Sequence, residues 1–410
     1  METSDMQPLE LPNDQDHTGR NFGIAERDAL VAVLASGTLT STKGSAVKRF
    51  EHAFAACMNA RHAIACSSGT SAIHAALAAL DLEPGDEVVT TPVTDMGALA
   101  PILYQTAIPV FADVDPLSLN VTPETIGRAI SRRTRAIIVT HLFGNPVDIA
   151  PILALADRLG VPVIEDCAQA YHATYHGRYV GTLGAMACFS LQQGKHITCG
   201  EGGVVVTDDP ALARRIELFV NKAWGYGDEH PDHYFLALNA RMSELAGAVA
   251  LAQLDKLADH VAVRRSRAAE LSEALDGLAG IRPLASPAGA NPSYWKYALH
   301  IDSSMYPDGP RVLAAALARE HVPSAPRYIQ KPAFMCEVFA RRRTFGRSEF
   351  PFSVARPQAV NYDPARYPGT MSGLASVLVL PLNERYTSAH VGRVSAAICS
   401  AVEGVQRGIA

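Results

Sequence analysis

A chain of 410 residues, 48% hydrophobic and 19% charged, has room for two or three domains at roughly 150 residues each and for a large buried core. Its formal net charge of −5 leaves no electrostatic footprint for nucleic acid or for an anionic membrane. No apolar run approaches the roughly 20 residues that span a bilayer, and Met1 to Asn13 is polar and acidic where a secretory leader is basic and then apolar, so the expected setting is the cytoplasm.

In chain order, the first 210 residues alternate β-rich runs with alanine- and leucine-rich stretches, the pattern of a layered α/β domain. Seven strands are predicted: His62 to Cys66, Glu87 to Thr91, Ile108 to Ala112, Ala136 to Thr140, Val161 to Glu165, Met186 to Ser190 and Val204 to Thr207. Several are apolar throughout, as strands covered on both faces are. Helices are predicted over Ser71 to Leu80, over Thr122 to Ile130 after a Thr-x-x-Thr start, and over Ile149 to Leu159 before Gly160. From Arg241 to about Leu275 helix formers run almost without a Gly or Pro break, enough for one long helix bridging two lobes.

After Gly280-Ile281-Arg282-Pro283 prolines become more frequent. A strand is predicted over Tyr294 to Ile301, helices near Pro310 to Glu320 and Ser388 to Glu403, and irregular structure between Pro326 and Gly369. The organisation expected is a large α/β domain over residues 1–255 and a smaller α+β domain over 256–410. The seven cysteines (Cys57, Cys66, Cys167, Cys188, Cys199, Cys336 and Cys399) show no CxxC spacing and fit buried, reduced thiols.

Ligands of doubly wound sheets gather at the carboxyl ends of strands, and three such places carry polar groups. Val161 to Asp166 ends a buried strand in two carboxylates. Met186 to Ser190 ends another in a hydroxyl, five residues before Lys195, which stands alone between Lys48 and Lys222 in a chain with seven lysines. Cys66-Ser67-Ser68-Gly69-Thr70-Ser71 passes from a strand into a helix and offers hydroxyls and free N–H groups, which suit a phosphate. Singly, these read as a solvated lysine, a capping pair and an N-cap. Together they supply what pyridoxal 5′-phosphate needs: a lysine for its Schiff base, a carboxylate for its pyridine nitrogen and donors for its phosphate. Fourteen histidines without HxH or HExxH spacing give no metal site, and no GxGxxG follows a strand. Trp224 and Trp295 read as packing residues.

At this point the sequence resembles the DegT/DnrJ/EryC1/StrS family of pyridoxal-phosphate aminotransferases. The resemblance runs through Ser68-Gly69-Thr70, Gly85-Asp86-Glu87-Val88, Phe111 to Asp115, His141 to Gly144, Ile164 to Ala170, Phe189-Ser190, Lys195, Gly200 to Gly203 and Asn239 to Glu244. It implies a fold-type I transferase with a mostly parallel seven-stranded sheet and a smaller α+β C-terminal domain. It also implies Lys195 as the Schiff-base lysine, Asp166 as partner of the pyridine nitrogen and Gln169 beside the ring. Ser190 with Gly69, Thr70 and Ser71 falls on the phosphate, which Asn239 reaches from the neighbouring subunit of a homodimer. Deoxysugar dehydratases of the family carry histidine at the lysine position; here it is Lys195, with His196 only its neighbour, so transamination is expected.

Two features depart from common members. Where many read Pro-x-x-Thr-aromatic, with the ring stacked on the cofactor, this chain reads Pro92-Val93-Thr94-Asp95-Met96-Gly97, leaving Thr94, Asp95 and Met96 as candidates. Before the lysine it reads Gln192-Gln193-Gly194, which resembles the aminocyclitol branch. The expected reaction therefore moves an amino group from glutamine or glutamate to a keto-cyclitol or keto-sugar. Set against it are a nucleotide keto-sugar acceptor, gripped by the Arg341-Arg342-Arg343 run, a dehydratase or oxidase reaction on the same fold, and a non-catalytic cofactor-binding protein.

Overall fold

A computed structural model describes residues 10–406; the first nine residues of the polar N-terminal stretch lie outside the described residues. All seven expected strands form: β1 (His62–Cys66), β2 (Glu87–Thr90), β3 (Ile108–Phe111), β4 (Thr134–Thr140), β5 (Val163–Asp166), β6 (Met186–Ser190) and β7 (Gly203–Thr207). They make one sheet in the order β1-β7-β6-β5-β4-β2-β3, in which only β7 runs against its neighbours. Every residue of β2, β3, β5, β6 and β7 is buried, which accounts for their lack of polar alternation. Cover comes from α1 (Ile24–Ser36), α2 (Ala46–Met58), α3 (Gly69–Ala78), α4 (Ala100–Tyr104), α5 (Pro123–Ala129), α6 (Ile149–Leu159), α7 (Pro210–Val220) and α8 (Glu244–Leu254).

Local chemistry sets the ends. Thr122 and Thr125 cap α5 reciprocally and Pro123 occupies its first turn, while α6 stops at Gly160, whose φ is +64°. Helix α3 starts at Gly69 and not at Ser71, because Ser68 is the extended residue whose hydroxyl accepts the Ser71 N–H at 3.1 Å. Gly69 and Thr70 are thereby placed in the first turn. The single helix expected from Arg241 to Leu275 is two, α8 and α9 (Leu257–Ala274). The chain turns at Asp255-Lys256, where Lys256 Nζ reaches back to the Glu26 carboxylate (2.6 Å) and the Asn21 carbonyl (2.7 Å). Met242 and Leu254 are buried and Leu245 packs against Val33 and Ala46.

A second core, including Leu271, Tyr297, Leu299, Leu317, Leu378 and Ile398, gathers on an antiparallel sheet of β8 (Ile281–Pro283), β9 (Lys296–Ile301), β10 (Ala325–Pro326) and β11 (Val377–Pro381), in the order β8-β9-β11-β10. Helices α9, α10 (Gly309–Arg319) and later α13 (Ser388–Gln406) pack with it. Between Pro326 and Gly369 the chain is irregular, as expected, apart from α11 (Glu337–Ala340) and three 3-10 turns; α12 (Pro368–Ser376) follows. This stretch straps the edge of the large sheet. Phe334 and Phe339 pack on Phe111, the Tyr362 hydroxyl donates to the Pro109 carbonyl at 3.0 Å, and Arg356 pairs with the buried Glu87 at 2.6 Å. We keep residue 255 as the proposed domain boundary, with this strap as a part of the C-terminal half laid back on the large domain. All seven cysteines are unpaired; Cys66, Cys167 and Cys188 are buried and the other four partly so. No described helix is long and apolar enough to cross a membrane.

Two histidines link this packing to pH. Burial pulls His74 and His172 from an ordinary 6.5 down to about 4, so both are neutral rings in the fold. Between pH 6.5 and about 4 the unfolded chain binds protons that the folded chain refuses. Stability therefore falls as pH falls through that window, and each histidine adds up to about 1.4 kcal/mol per pH unit to the slope. Below about 4 both states are protonated and the contribution is flat. Urea denaturation across this range should show the decline, and His74→Gln should make it shallower; an unchanged slope would remove His74 from the account.

Candidate active site

At the carboxyl ends of β5 and β6, where α3 begins, lies a cavity of about 420 Å³. Its walls bring together Gly69, Thr70, Asp166, Gln169, Ser190 and Lys195, positions up to 126 residues apart in sequence (195 minus 69). Asp166 is the last residue of β5, held by the Thr140 hydroxyl at 3.2 Å and the Ala168 N–H at 3.1 Å. Burial pushes its carboxyl above the usual range, and the Ala168 N–H and Lys195 act in the opposite sense. Gln169 accepts the Phe143 N–H at 2.8 Å and donates to the Tyr328 hydroxyl at 3.1 Å, which fixes its amide orientation.

Lys195 sits on an irregular segment after β6. Desolvation in the cavity pulls its amine from 10.5 down to about 8, although Asp166 and Asp95 favour the charged form and Lys296 opposes it. An amine poised there carries protons in either direction near neutral pH. Opposite it, the first turn of α3 presents the N–H groups of Gly69 and Thr70, which precede the helix's own ladder, beside the Ser190 side chain. Glycine at 69 is a packing requirement: a Cβ there would stand 2.7 Å from the Cβ of Ser190.

Two expected residues lie elsewhere. The Ser71 hydroxyl is engaged by Ser67 and Ser68 at 2.9 and 3.0 Å, as part of the helix cap. Asn239 is exposed and pairs in a backbone bridge with Asn221. Of the candidates for the missing aromatic position, Thr94 and Asp95 line the cavity, whereas Met96 packs on the core. The glutamine pair is split: Gln192 lines the cavity, and Gln193 donates to the Asp14 carbonyl at 3.2 Å. Sequence reasoning missed Tyr328, Glu201 and Trp295, all in the wall. Trp295, expected only to pack, lies 4.4 Å beneath the Lys195 ammonium.

A lysine and a buried carboxylate face one cavity at the ends of a mostly parallel sheet, beside a helix N-terminus, an arrangement that fits a pyridoxal-phosphate-dependent transferase of fold type I. The chain belongs to the DegT/DnrJ/EryC1/StrS aminotransferase family, whose profile matches residues 22–399. It is 37% identical over 318 residues to an L-glutamine:2-deoxy-scyllo-inosose aminotransferase of Streptomyces kanamyceticus, covering 73% of this chain and 74% of that one. It is 38% identical over 241 residues to a GDP-perosamine synthase of Caulobacter vibrioides, covering 58% and 64%. Among solved structures, 3-amino-5-hydroxybenzoic acid synthase superposes with a TM-score of 0.83 at 27% identity, over 94% of this chain and 98% of that one. The protein is thus an aminotransferase of a pyridoxal-phosphate-dependent family.

The contact between Gly69 and Ser190 predicts a compensating pair. Gly69→Ala should destabilise the protein by about 1–3 kcal/mol through overpacking, and adding Ser190→Gly should recover most of that loss. Additive effects in a urea-denaturation cycle would contradict the contact.

Proposed function

We propose that Lys195 carries pyridoxal 5′-phosphate covalently, that Asp166 faces its pyridine nitrogen, that Gln169 lies beside its ring, and that Ser190 with Gly69 and Thr70 holds its phosphate. The residues present fit that group: the small-residue cradle at Gly69 admits no Cβ, and a carboxyl lifted by burial gains most from a cationic partner. When bound, the cofactor supplies the electron sink that makes a substrate α-proton labile. The rest belongs to the chain. Asp166 keeps the ring nitrogen protonated, Lys195 Nζ takes and returns the proton in each half-reaction, and the Gln169–Tyr328 bond fixes the side wall.

The acceptor we favour is a keto-cyclitol or similar free polyhydroxy ketone, with glutamine ahead of glutamate as donor. Supporting this is the wall left for the substrate, which includes Thr94, Asp95, Gln192, Glu201 and Tyr328. Lys195 is the one cationic side chain in that lining, so a diphosphate would meet carboxylates where it needs cations. The arginine run that spoke for a nucleotide sugar is spent on the surface: Arg341 and Arg343 face Glu337 at 3.5 and 2.9 Å, and Arg342 faces Glu349 at 3.4 Å. Similarity to the scyllo-inosose aminotransferase points the same way.

We further propose a homodimer in which Asn239 of the partner subunit reaches the phosphate. What supports it is the exposed segment that carries Asn239, where Leu236 is 96% and Leu238 54% exposed.

Enzyme loaded with cofactor and supplied with glutamine should aminate ketocyclitols and not nucleotide ketosugars, read as amine product by mass spectrometry, and Lys195→Ala should abolish turnover. Product from nucleotide ketosugars alone would reverse the preference. The shared site predicts complementation: mixing and re-equilibrating Lys195→Ala with Asn239→Ala chains should restore up to about a quarter of normal activity, because one site in each mixed dimer is intact. No recovery despite subunit exchange would show that each chain completes its own site.

A further inference from the structure

We propose that Trp295 is a positioning residue that holds the uncoupled, charged Lys195 side chain against the cavity wall, so that the amine stays beside the reacting centre while it is free. This rests on the reading of Lys195 as the amine that carries the proton.

The indole serves the lysine twice. Its face lies 4.4 Å from Lys195 Nζ, within the range of a cation–π contact, and its Nε1–H donates to the carbonyl of Gly194, the preceding residue, at 2.7 Å. The ring is itself held. The Trp295 N–H donates to the Phe143 carbonyl at 2.8 Å, its carbonyl accepts from Arg264 at 3.2 Å, and Tyr328 meets it edge-on at 6.5 Å and 87°. A second lysine, Lys296, lies 5.2 Å from the same ring but is paired with Asp14 at 2.9 Å. Among the described residues the Lys195 ammonium has no such ion pair or hydrogen bond. The indole face is therefore a direct contact of this ammonium, with the Asp166 and Asp95 charges acting beside it.

Other groups set the background. Asp166 and Asp95 favour the charged lysine and Lys296 opposes it, while Glu201 and the Tyr328 hydroxyl share the cavity wall. His196, the next residue, is buried as a neutral ring against the Ser293 carbonyl. Removing the ring's negative face leaves Asp166 and Asp95 in place, so the charged form should weaken without being lost. Cation–π contacts of partly desolvated groups correspond to a shift of about one pH unit, or tenfold in the neutral fraction.

The test follows Lys195 in the full-length chain freed of cofactor, with pyridoxal phosphate as the probe and borohydride as the trap, by peptide mapping across pH. Because trapping needs the neutral amine, its rate should rise to a midpoint near about 8 in the unmodified protein. In Trp295→Leu the midpoint should fall by about one unit. In Trp295→Phe it should stay close to the unmodified value, while kcat falls and KM changes little, because the ring remains and the Gly194 bond is lost. If the leucine variant fails to fold, fluorinated tryptophans in a Trp224→Phe chain weaken the ring face without changing its packing, and the midpoint should fall stepwise with fluorine content. An unchanged midpoint across the fluorine series, or equal shifts for leucine and phenylalanine, would overturn the role given to Trp295. Failure to trap at Lys195 in the unmodified protein would instead overturn the site assignment on which it rests.

Discussion

The pleat of β5 sends its two terminal carboxylates to opposite faces of the sheet, and the site is arranged around that division. Glu165 turns into the core, where it is fully buried. It accepts the N–H groups of Gly181, Leu183 and Gly184 at 2.7–2.8 Å and faces His141 Nε2 at 3.0 Å. Burial alone would raise its carboxyl, but these partners, His141 foremost, outweigh it and hold the group below its usual range. Since His141 Nδ1 accepts the Val147 N–H at 3.0 Å, the proton sits on Nε2 and points at Glu165. What resembles a ligand triad of His141, Glu165 and Cys167 is thus an anchor for the loop at 181–184. Asp166, one residue on, is left to face the cavity, and a one-residue slip in β5 would exchange the two roles.

An irregular segment can hold a lysine at a fixed place in a cavity only if other elements fix its backbone. Three successive carbonyls are held from three parts of the chain. Trp295 holds that of Gly194 at 2.7 Å, Arg20 that of Lys195 at 2.8 Å, and His260 contacts that of His196 at 3.1 Å. Behind them runs a buried ionic network. Arg20 pairs with Asp14 at 2.6 Å, Lys296 with Asp14 at 2.9 Å, and Arg264 with Glu384 at 2.7 Å. Burial would raise the Asp14 carboxyl, yet Lys296, Arg264 and Arg20 hold it below the ordinary range. Buried pairs of this kind add little net stability; here they tie the N-terminal segment and the second core to the lysine segment.

This division explains what was legible in the sequence. Strand positions were, because a strand buried on both faces is an unbroken apolar run and its polar terminus stands out, as at Asp166 and Ser190. Lys195 was legible because few lysines surround it. Trp295 and Tyr328 were not: their partners in the site, Gly194 and Gln169, are 101 and 159 residues away in sequence, and periodicity records only neighbours. The long helix failed for a related reason, since the turn at Asp255-Lys256 is fixed by Glu26 and Asn21 and by no Gly or Pro of its own.

The departure over Thr94 to Met96 becomes intelligible on the same geometry. Thr94 and Asp95 bring no ring to the cavity and Met96 packs on the core, so aromatic surface enters this cavity from Trp295, Tyr328 and Phe189, on β6 and on the C-terminal half of the chain. Asp95 is itself tethered, accepting the Gly97 N–H at 2.7 Å, and a Cβ on Gly97 would stand 2.4 Å from the Thr70 hydroxyl. The Thr94–Gly97 turn and the α3 N-terminus therefore pack as one unit. A carboxylate fixed there adds, with Glu201, to the acidic part of the cavity wall. Such carboxylates accept hydrogen bonds from hydroxyl groups, so the segment that breaks the aromatic pattern also bears on which ketone can approach.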